Sequence, residues 1–401
     1  MERETSPSTN QFSRASSTPS YSPGLSTPPS YSSRSSTPQS YSPGSSRNVE
    51  CSNCKQLLDK ITVLKATVEM YMHPEQHTVT DALLHNVYND MRKLDLETNY
   101  PPYGIDFPEG ATGRFTNGRT FADIIGQLLG FEKFIPPHTT ATDEQISIGV
   151  NYASGTSGIR EETGIHLGDR INMDTQLQNH NSTISRLLRL QENTTFLEKC
   201  IYLINTGNND YINNYFLSDK YNTSRVYTTD EYASVLIQQM SQQLRTLYNL
   251  GARKIVVNSV FKVGCIPVVV DTFDTDGKPC VEPAMLYNDR LKPLIDVLNT
   301  NYSDARFTFI NMTRISSLQE ADMTLSTTPC CQLNEDYVCI PYSIPCPDRT
   351  MSIYFDGYHF TEIVTTSIAT RSYTALSPLD ASPYDISDLV RLHDTNCYAD
   401  I

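Results

Sequence analysis

Cys200-Ile-Tyr-Leu-Ile-Asn-Thr-Gly-Asn-Asn-Asp210 is the stretch on which the fold turns. The apolar run Ile201 to Ile204 is short and continuous and is followed closely by Gly207. That pattern suits a strand buried on both faces, as in a sheet covered by helices. In such sheets the loops leaving the carboxyl ends of strands hold the sites. Asn209 can aim its side-chain NH2 at an oxyanion there, and Asp210 can brace the loop. An asparagine-rich turn with no chemistry fits the same four residues.

Working outward, strand and helix patterns alternate. Tyr232 to Leu250 reads as a long helix ended by Gly251, and Lys254-Ile-Val-Val-Asn-Ser-Val260 as the next strand. A helix over Pro283 to Leu298 precedes a strand at Phe307-Thr-Phe-Ile310. Upstream, Phe121, Ile124, Ile125, Leu128 and Leu129 mark a helix closed by Gly130, and Ile148 to Ala153 reads as a strand. Downstream, Ile353-Tyr-Phe leads to Asp356, and a helix starts at about Thr361. The alternation predicts an α/β body over residues 100–376 with a mostly parallel sheet. Residues 377–401 read as a polar C-terminal tail.

The first 97 residues differ. Residues 1–48 repeat S-T-P-x-S-Y-S, as in Ser26-Thr-Pro-Pro-Ser-Tyr-Ser32, and hold too few aliphatics to offset the entropy of ordering. They read as a disordered Ser/Pro/Tyr-rich tail. Residues 49–97 form a helical segment. Leu57, Ile61, Leu64, Val68 and Tyr71 alternate steps of four and three, a short coiled-coil stripe that Pro74 ends. Cys51, Cys54, His73 and His77 have the pair spacings of zinc ligands, but a helical pattern fills the interval between the pairs. A reduced cysteine pair ahead of a helical hairpin is the competing reading, and no metal is assigned.

The formal charge is −14 over 401 residues, and the isoelectric point is about 5.0. Binding of nucleic acid through a broadly basic surface is therefore not expected. No apolar run approaches the roughly 18 residues of a membrane helix. Features bearing on location conflict. The charged start lacks an apolar signal core, which points to the cytoplasm. Eight of the ten cysteines fall at or after Cys200, with Cys330, Cys331, Cys339 and Cys346 clustered, and N-x-S/T sequons occur at Asn181, Asn193, Asn222, Asn301 and Asn311. Those features suit an extracellular protein.

Two further segments carry chemistry. In Asp356-Gly-Tyr-His359 a carboxylate three residues before a histidine can fix the imidazole tautomer and stabilise the imidazolium. Alone, D-x-x-H is common. Gly149-Val-Asn-Tyr-Ala-Ser-Gly-Thr-Ser-Gly158 can present backbone N–H groups to an anion, or can be a plain tight turn.

Together these segments resemble the plant-type GDSL esterase/lipase family of the SGNH hydrolase superfamily. The resemblance rests on Y-P-P-Y-G-I-D-F-P at 100–108, G-R-F-T-N-G-R-T at 113–120 and G-V-N-Y-A-S-G-T-S-G-I at 149–159. It continues through I-R-E-E-T-G at 159–164, G-N-N-D-Y at 207–211, G-A-R-K at 251–254, the double cysteine at 330–331 and D-G-Y-H at 356–359. It implies a three-layer α/β/α, flavodoxin-like hydrolase fold, with lipid or small acyl esters as ligands and no cofactor. It makes Asp356 and His359 the catalytic dyad and Asn209 an oxyanion-hole donor. Gly158 matches the oxyanion-hole glycine, with Gly155 the other possibility. Two positions depart from the family pattern. Phe360 stands where the family has proline after the histidine, and Asn208 where it has a small residue.

A larger departure lies upstream. The family's nucleophile is the serine of a G-D-S block, which should fall near positions 70–76. Those residues read Met70-Tyr-Met-His-Pro-Glu-Gln76, and no serine occurs between Ser52 and Ser147. Ser154 and Ser157 sit in the expected oxyanion turn and are poor substitutes. The G-D-S strand is also the first strand, which lies inside the sheet in this fold order. Without it, each buried backbone group left unpaired costs roughly 1–3 kcal/mol, against a typical net stability of about 5–15 kcal/mol. Either residues 1–97 supply a replacement, for which Ile61-Thr-Val-Leu64 has strand-like composition, or the first strand is missing. The expectation is an ester hydrolase by descent that is inactive or strongly impaired. The alternative is a non-enzymatic ligand-binding or interaction protein, with protein partners held through residues 1–97.

Overall fold

The computed structural model describes residues 99–190, 195–273, 283–320 and 325–391. The chain divides into two units, Met1–His77 and Thr78–Ile401, and all described residues belong to the second. The expected tail, helical segment, zinc pair and replacement strand lie outside the described residues.

The sheet has the order β1-β2-β3-β4. Its strands are β1 (Ile201–Ile204), β2 (Lys254–Asn258), β3 (Arg306–Ile310) and β4 (Ala381–Ser382). The first three are parallel, with Ile201 opposite Lys254 and Lys254 opposite Arg306. β4 closes the far side antiparallel to β3. Helices of six or more residues are α1 (Phe121–Leu128), α2 (Met173–Leu190), α3 (Thr229–Asn249), α4 (Pro267–Phe273), α5 (Pro283–Asn301), α6 (Met312–Glu320), α7 (Glu362–Tyr373) and α8 (Ile386–Arg391).

Strand alternation sorts the core into two layers. Ile255, Val257, Phe307 and Phe309 face Leu236, Met240 and Leu244 of α3 and Leu291, Ile295 and Leu298 of α5. Val256 and Ile310 face the opposite layer, built from Ile124 and Ile125 of α1, Ile315 of α6, Val364 and Ile368 of α7, and Leu389 of α8. The architecture is the expected α/β/α sandwich, and burial of these apolar side chains is its main driving force. Helix starts follow side-chain chemistry. Thr120 and Thr228 accept from the third helical residue, and Asp123 and Glu231 reach back to the cap N–H, forming capping boxes on α1 and α3.

Three regions differ from the sequence reading. Ile148 to Ala153 is not a strand; Asn151 makes only an isolated parallel bridge to Pro137. The stretch from Ser377, expected as a polar tail, belongs to the folded body as far as Arg391. Asp380 is buried between Arg314 and Arg371, at 3.1 and 2.8 Å, and Ile386 and Leu389 are fully buried. Its polar composition hides two buried apolar residues one helical turn apart and a carboxylate whose two arginines lie elsewhere in the chain. Third, β1 pairs only with β2 among the described residues. All four of its residues are half-buried, whereas every residue of β2 is buried. A strand with the composition of a sheet centre thus stands at the edge of the described sheet.

Candidate functional site

Asp356 and His359 lie on the loop between Tyr354 and α7. Bridging of Tyr354 to Phe360 and a 2.7 Å hydrogen bond from the Phe355 N–H to the His359 carbonyl close this loop tightly. Gly357 is needed at its apex, because a Cβ there would lie 2.7 Å from the Tyr337 carbonyl oxygen. The imidazole Nδ1 is 2.8 Å from Asp356 Oδ2 and 3.0 Å from Oδ1. Oδ1 also accepts the backbone N–H groups of Tyr358 and His359, at 2.8 and 2.7 Å. The carboxylate is fully buried, while 40% of the histidine side chain is exposed. A buried acid pinned by backbone donors therefore holds Nδ1, and among the described residues all hydrogen bonds of the ring go to that acid. This leaves Nε2 as the basic face of the imidazole.

Tyr103 completes the dyad. Its hydroxyl donates to Asp356 Oδ2 at 2.7 Å and accepts the Cys339 N–H at 3.1 Å. Burial, the neighbouring carboxylate and the hydrogen bond to it push the phenol far above its ordinary pKa, so it stays a neutral donor. The YPPYG segment signalled the family but not this role, because the contact spans 253 positions.

The second half of the site is the Gly207–Asp210 turn leaving β1. Gly207 has φ +118°, and a Cβ there would lie 2.8 Å from Val260 Cγ1. Asn209 Nδ2 donates to the Ser157 carbonyl at 2.9 Å, and its Oδ1 accepts from Asn213 Nδ2 at 2.8 Å. The amide is thus oriented from both ends, with one of its two N–H donors engaged by Ser157. Asp210, fully buried, accepts from the Ile159 and Arg160 N–H groups and from the Thr163 hydroxyl, at 2.8, 3.0 and 2.8 Å. Those three bonds favour the carboxylate, yet burial outweighs them and lifts its pKa to about 6. Asp210 therefore ties the Gly207 turn to the 157–160 turn.

The two candidate glycines are held differently. A Cβ on Gly158 would lie 2.4 Å from Asp210 Oδ2, so this glycine admits the bracing carboxylate. A Cβ on Gly155 would lie 2.8 Å from Phe115 Cε2. Phe115 in turn lies against the His359 ring, with centroids 5.0 Å apart. Ser154 and Ser157 are tied into their own turn. Ser157 Oγ donates to the Ser154 carbonyl at 2.8 Å, and Ser154 Oγ accepts from the Ile171 N–H at 3.0 Å. Positions 70–76 lie outside the described residues. Among the described residues no group of three His, Cys, Asp or Glu is placed to hold a metal ion.

The two departures from the family pattern are linked. Asn208 Oδ1 accepts the Phe261 N–H at 2.9 Å, and the Phe261 ring meets Phe360 edge to face at 5.0 Å. Phe360 also stacks on Tyr354 at 5.3 Å. The loop carrying the dyad and the Asn turn thus touch a common residue. Beside them, cystines Cys330–Cys346 and Cys331–Cys339 staple the segment that supplies the Cys339 N–H.

The family model described as GDSL-like Lipase/Acylhydrolase matches residues 84–369. Among curated proteins, the chain is 40% identical over 328 residues to the GDSL esterase/lipase At1g29670 of Arabidopsis thaliana, covering 78% of this chain and 90% of that protein. It is 39% identical over 328 residues to the GDSL esterase/lipase At1g29660 of the same plant, with the same coverage. A third Arabidopsis protein, the GDSL esterase/lipase At2g19010, is 40% identical over 319 residues, covering 78% of this chain and 91% of that protein.

Proposed function

Given that the chain belongs to the GDSL lipase/acylhydrolase family, we propose that it is a carboxylic ester hydrolase of lipid or small acyl esters in frame, but lacks the attacking serine and turns over weakly or not at all. One observation carries this reading. The dyad of Asp356 and His359 is assembled at 2.8 Å, while the sequence from Asn53 to Ile146 contains no serine to present to it.

The retained groups have definite roles in this reading. Asp356 fixes the tautomer of His359, Tyr103 fixes Asp356, and Asn209 with the turn around Gly155 and Gly158 receives a carbonyl oxygen that gains charge. With no nucleophile, no acyl-enzyme forms. His359 can still polarise a water, and a hydrolase stripped of one triad member retains on the order of 10³-fold over water. The same groups support a second reading, a hydrolase body that binds an acyl ester without cleaving it. Residues 1–97 are then the segment to test for protein partners.

An oxidising compartment is part of the proposal. The two cystines support it, as do exposed sequon asparagines at Asn181, Asn222 and Asn301. Purified protein assayed on p-nitrophenyl acetate and butyrate tests the catalytic reading. The expected result is hydrolysis near background and no covalent labelling by a fluorophosphonate. Turnover lost in His359→Ala, together with fluorophosphonate labelling, overturns it. Peptide mass mapping of protein from the native host tests the compartment. Reduced Cys330, Cys331, Cys339 and Cys346 with unmodified sequons overturn that part.

A further inference from the structure

The segment Ile340-Pro-Tyr-Ser-Ile344 sits on the outside of the cystine-stapled loop and is unusually apolar for an exposed stretch. Ile340, Tyr342 and Ile344 are 39, 78 and 84% exposed. No charged residue occurs from Tyr337 to Pro347, in a chain that is 19% charged. Isolated apolar side chains on a surface need no explanation, but three within five residues of one exposed turn depart from that pattern.

The tip is also rigid. The Ile340 N–H donates to the Gln332 carbonyl at 2.8 Å, Tyr342 N–H to Pro101 at 2.7 Å, and Ser343 N–H to Ile340 at 3.1 Å. Cystines 331–339 and 330–346 close it on both sides. Tyr342 holds φ +61°, a left-handed conformation that is rare for a bulky residue. The fold thus keeps an aromatic residue in a disfavoured backbone state while its side chain stays in solvent. Backbone outliers of this kind cluster at active sites, ligand clamps and switch regions.

We propose that Ile340, Tyr342 and Ile344 insert into a neutral lipid–water interface and seat the body there. The choice of lipid rests on the esterase/lipase reading; the choice of this tip rests on the structure. Aliphatic side chains flanking a tyrosine suit the boundary between acyl chains and headgroups. An uncharged tip on a chain of net charge −14 suits zwitterionic headgroups and is repelled by anionic ones. Rigidity means that little ordering entropy is lost on insertion. The tip also adjoins the site, since the Cys339 N–H just before it donates to Tyr103, which donates to Asp356.

The test is co-sedimentation of the full oxidised chain with phosphatidylcholine vesicles, alone and with phosphatidylserine added. It compares wild type, a Tyr342→Ser/Ile344→Ser double variant, and Leu376→Ser, which alters an apolar side chain 77% exposed elsewhere. The expected result is binding to phosphatidylcholine that falls at least tenfold in the double variant, is unchanged in Leu376→Ser, and weakens with phosphatidylserine. Circular dichroism confirms that the double variant is folded. Equal binding by wild type and double variant overturns the proposal, as does no binding by wild type. Concentration-dependent dimerisation lost in the double variant, without vesicle binding, overturns it in favour of self-association. Binding is read without turnover, so failure of the catalytic reading in the ester assay is distinguishable from failure here.

Discussion

Tyr103 and His359 converge on one oxygen: Asp356 Oδ2 accepts from the tyrosine hydroxyl at 2.7 Å and lies 2.8 Å from the imidazole Nδ1. Removing the hydroxyl in Tyr103→Phe takes one donor from a fully buried carboxylate and leaves the Cys339 N–H without its acceptor. An unmet buried group of this kind costs about 1–3 kcal/mol. Urea unfolding of Tyr103→Phe is expected to show a loss in that range with an unchanged slope. Asp356→Asn is expected to lose more, about 3 kcal/mol, because its amide NH2 must face donors. A Tyr103→Phe variant as stable as wild type refutes the coupling.

Asp210 sets a pH dependence of opposite sign to that of most carboxylates. Burial raises its folded pKa to about 6 from an ordinary value of 3.8. Between those two values the folded state binds more proton than the unfolded one, so stability falls as pH rises. The contribution is fully present below about pH 4 and is lost as pH rises through 6, amounting to about 2–3 kcal/mol. Asp106, Asp123 and Asp380 pull the other way. Arg349 holds Asp106 below its usual range; burial raises Asp123 and Asp380, but the hydrogen bonds and charge of their arginines, joined by Thr120 at Asp123, together outweigh it. Asp210→Asn isolates the one group. The difference in unfolding free energy, wild type minus Asp210→Asn, is expected to fall by about 2 kcal/mol from pH 4 to pH 7. A flat difference means Asp210 is not protonated more readily in the fold.

Local chemistry was legible in the sequence, and long-range chemistry was not. The dyad could be read because Asp356 and His359 lie three residues apart, on one turn of chain, and α1 and α3 could be read because their apolar periodicity and closing glycines are local. Tyr103 belongs to the Y-P-P-Y-G segment, and nothing at position 103 signals a partner at 356. The buried residues Ile386 and Leu389 escape for a different, local reason: polar neighbours dilute a two-residue apolar face. Ile148 to Ala153 was misread because its alternation suits a strand, whereas the chain there uses Asn151 for one bridge and then turns through Gly155 and Gly158. The serine-free interval was legible at once, as it requires only reading the sequence.

Gly158 is the expected oxyanion-hole glycine and Gly155 the other possibility, and their surroundings predict different outcomes when each becomes alanine. The new Cβ on Gly158 falls 2.4 Å from an oxygen of Asp210, a carboxylate fixed by three hydrogen bonds and unable to withdraw. Overpacking against a fixed group costs about 1–3 kcal/mol, so Gly158→Ala is expected at the upper end of that range. The Cβ on Gly155 meets the far edge of the Phe115 ring at 2.8 Å, and a ring edge can swing. Gly155→Ala is therefore expected to cost under about 1.5 kcal/mol, while displacing Phe115 from the His359 face it covers. Thermal unfolding separates the two variants, and the aromatic signals of Phe115 and His359 in NMR spectra report the displacement. Greater destabilisation by Gly155→Ala, with both ring signals unmoved, would remove Phe115 from the site and reverse the structural roles given to the two glycines.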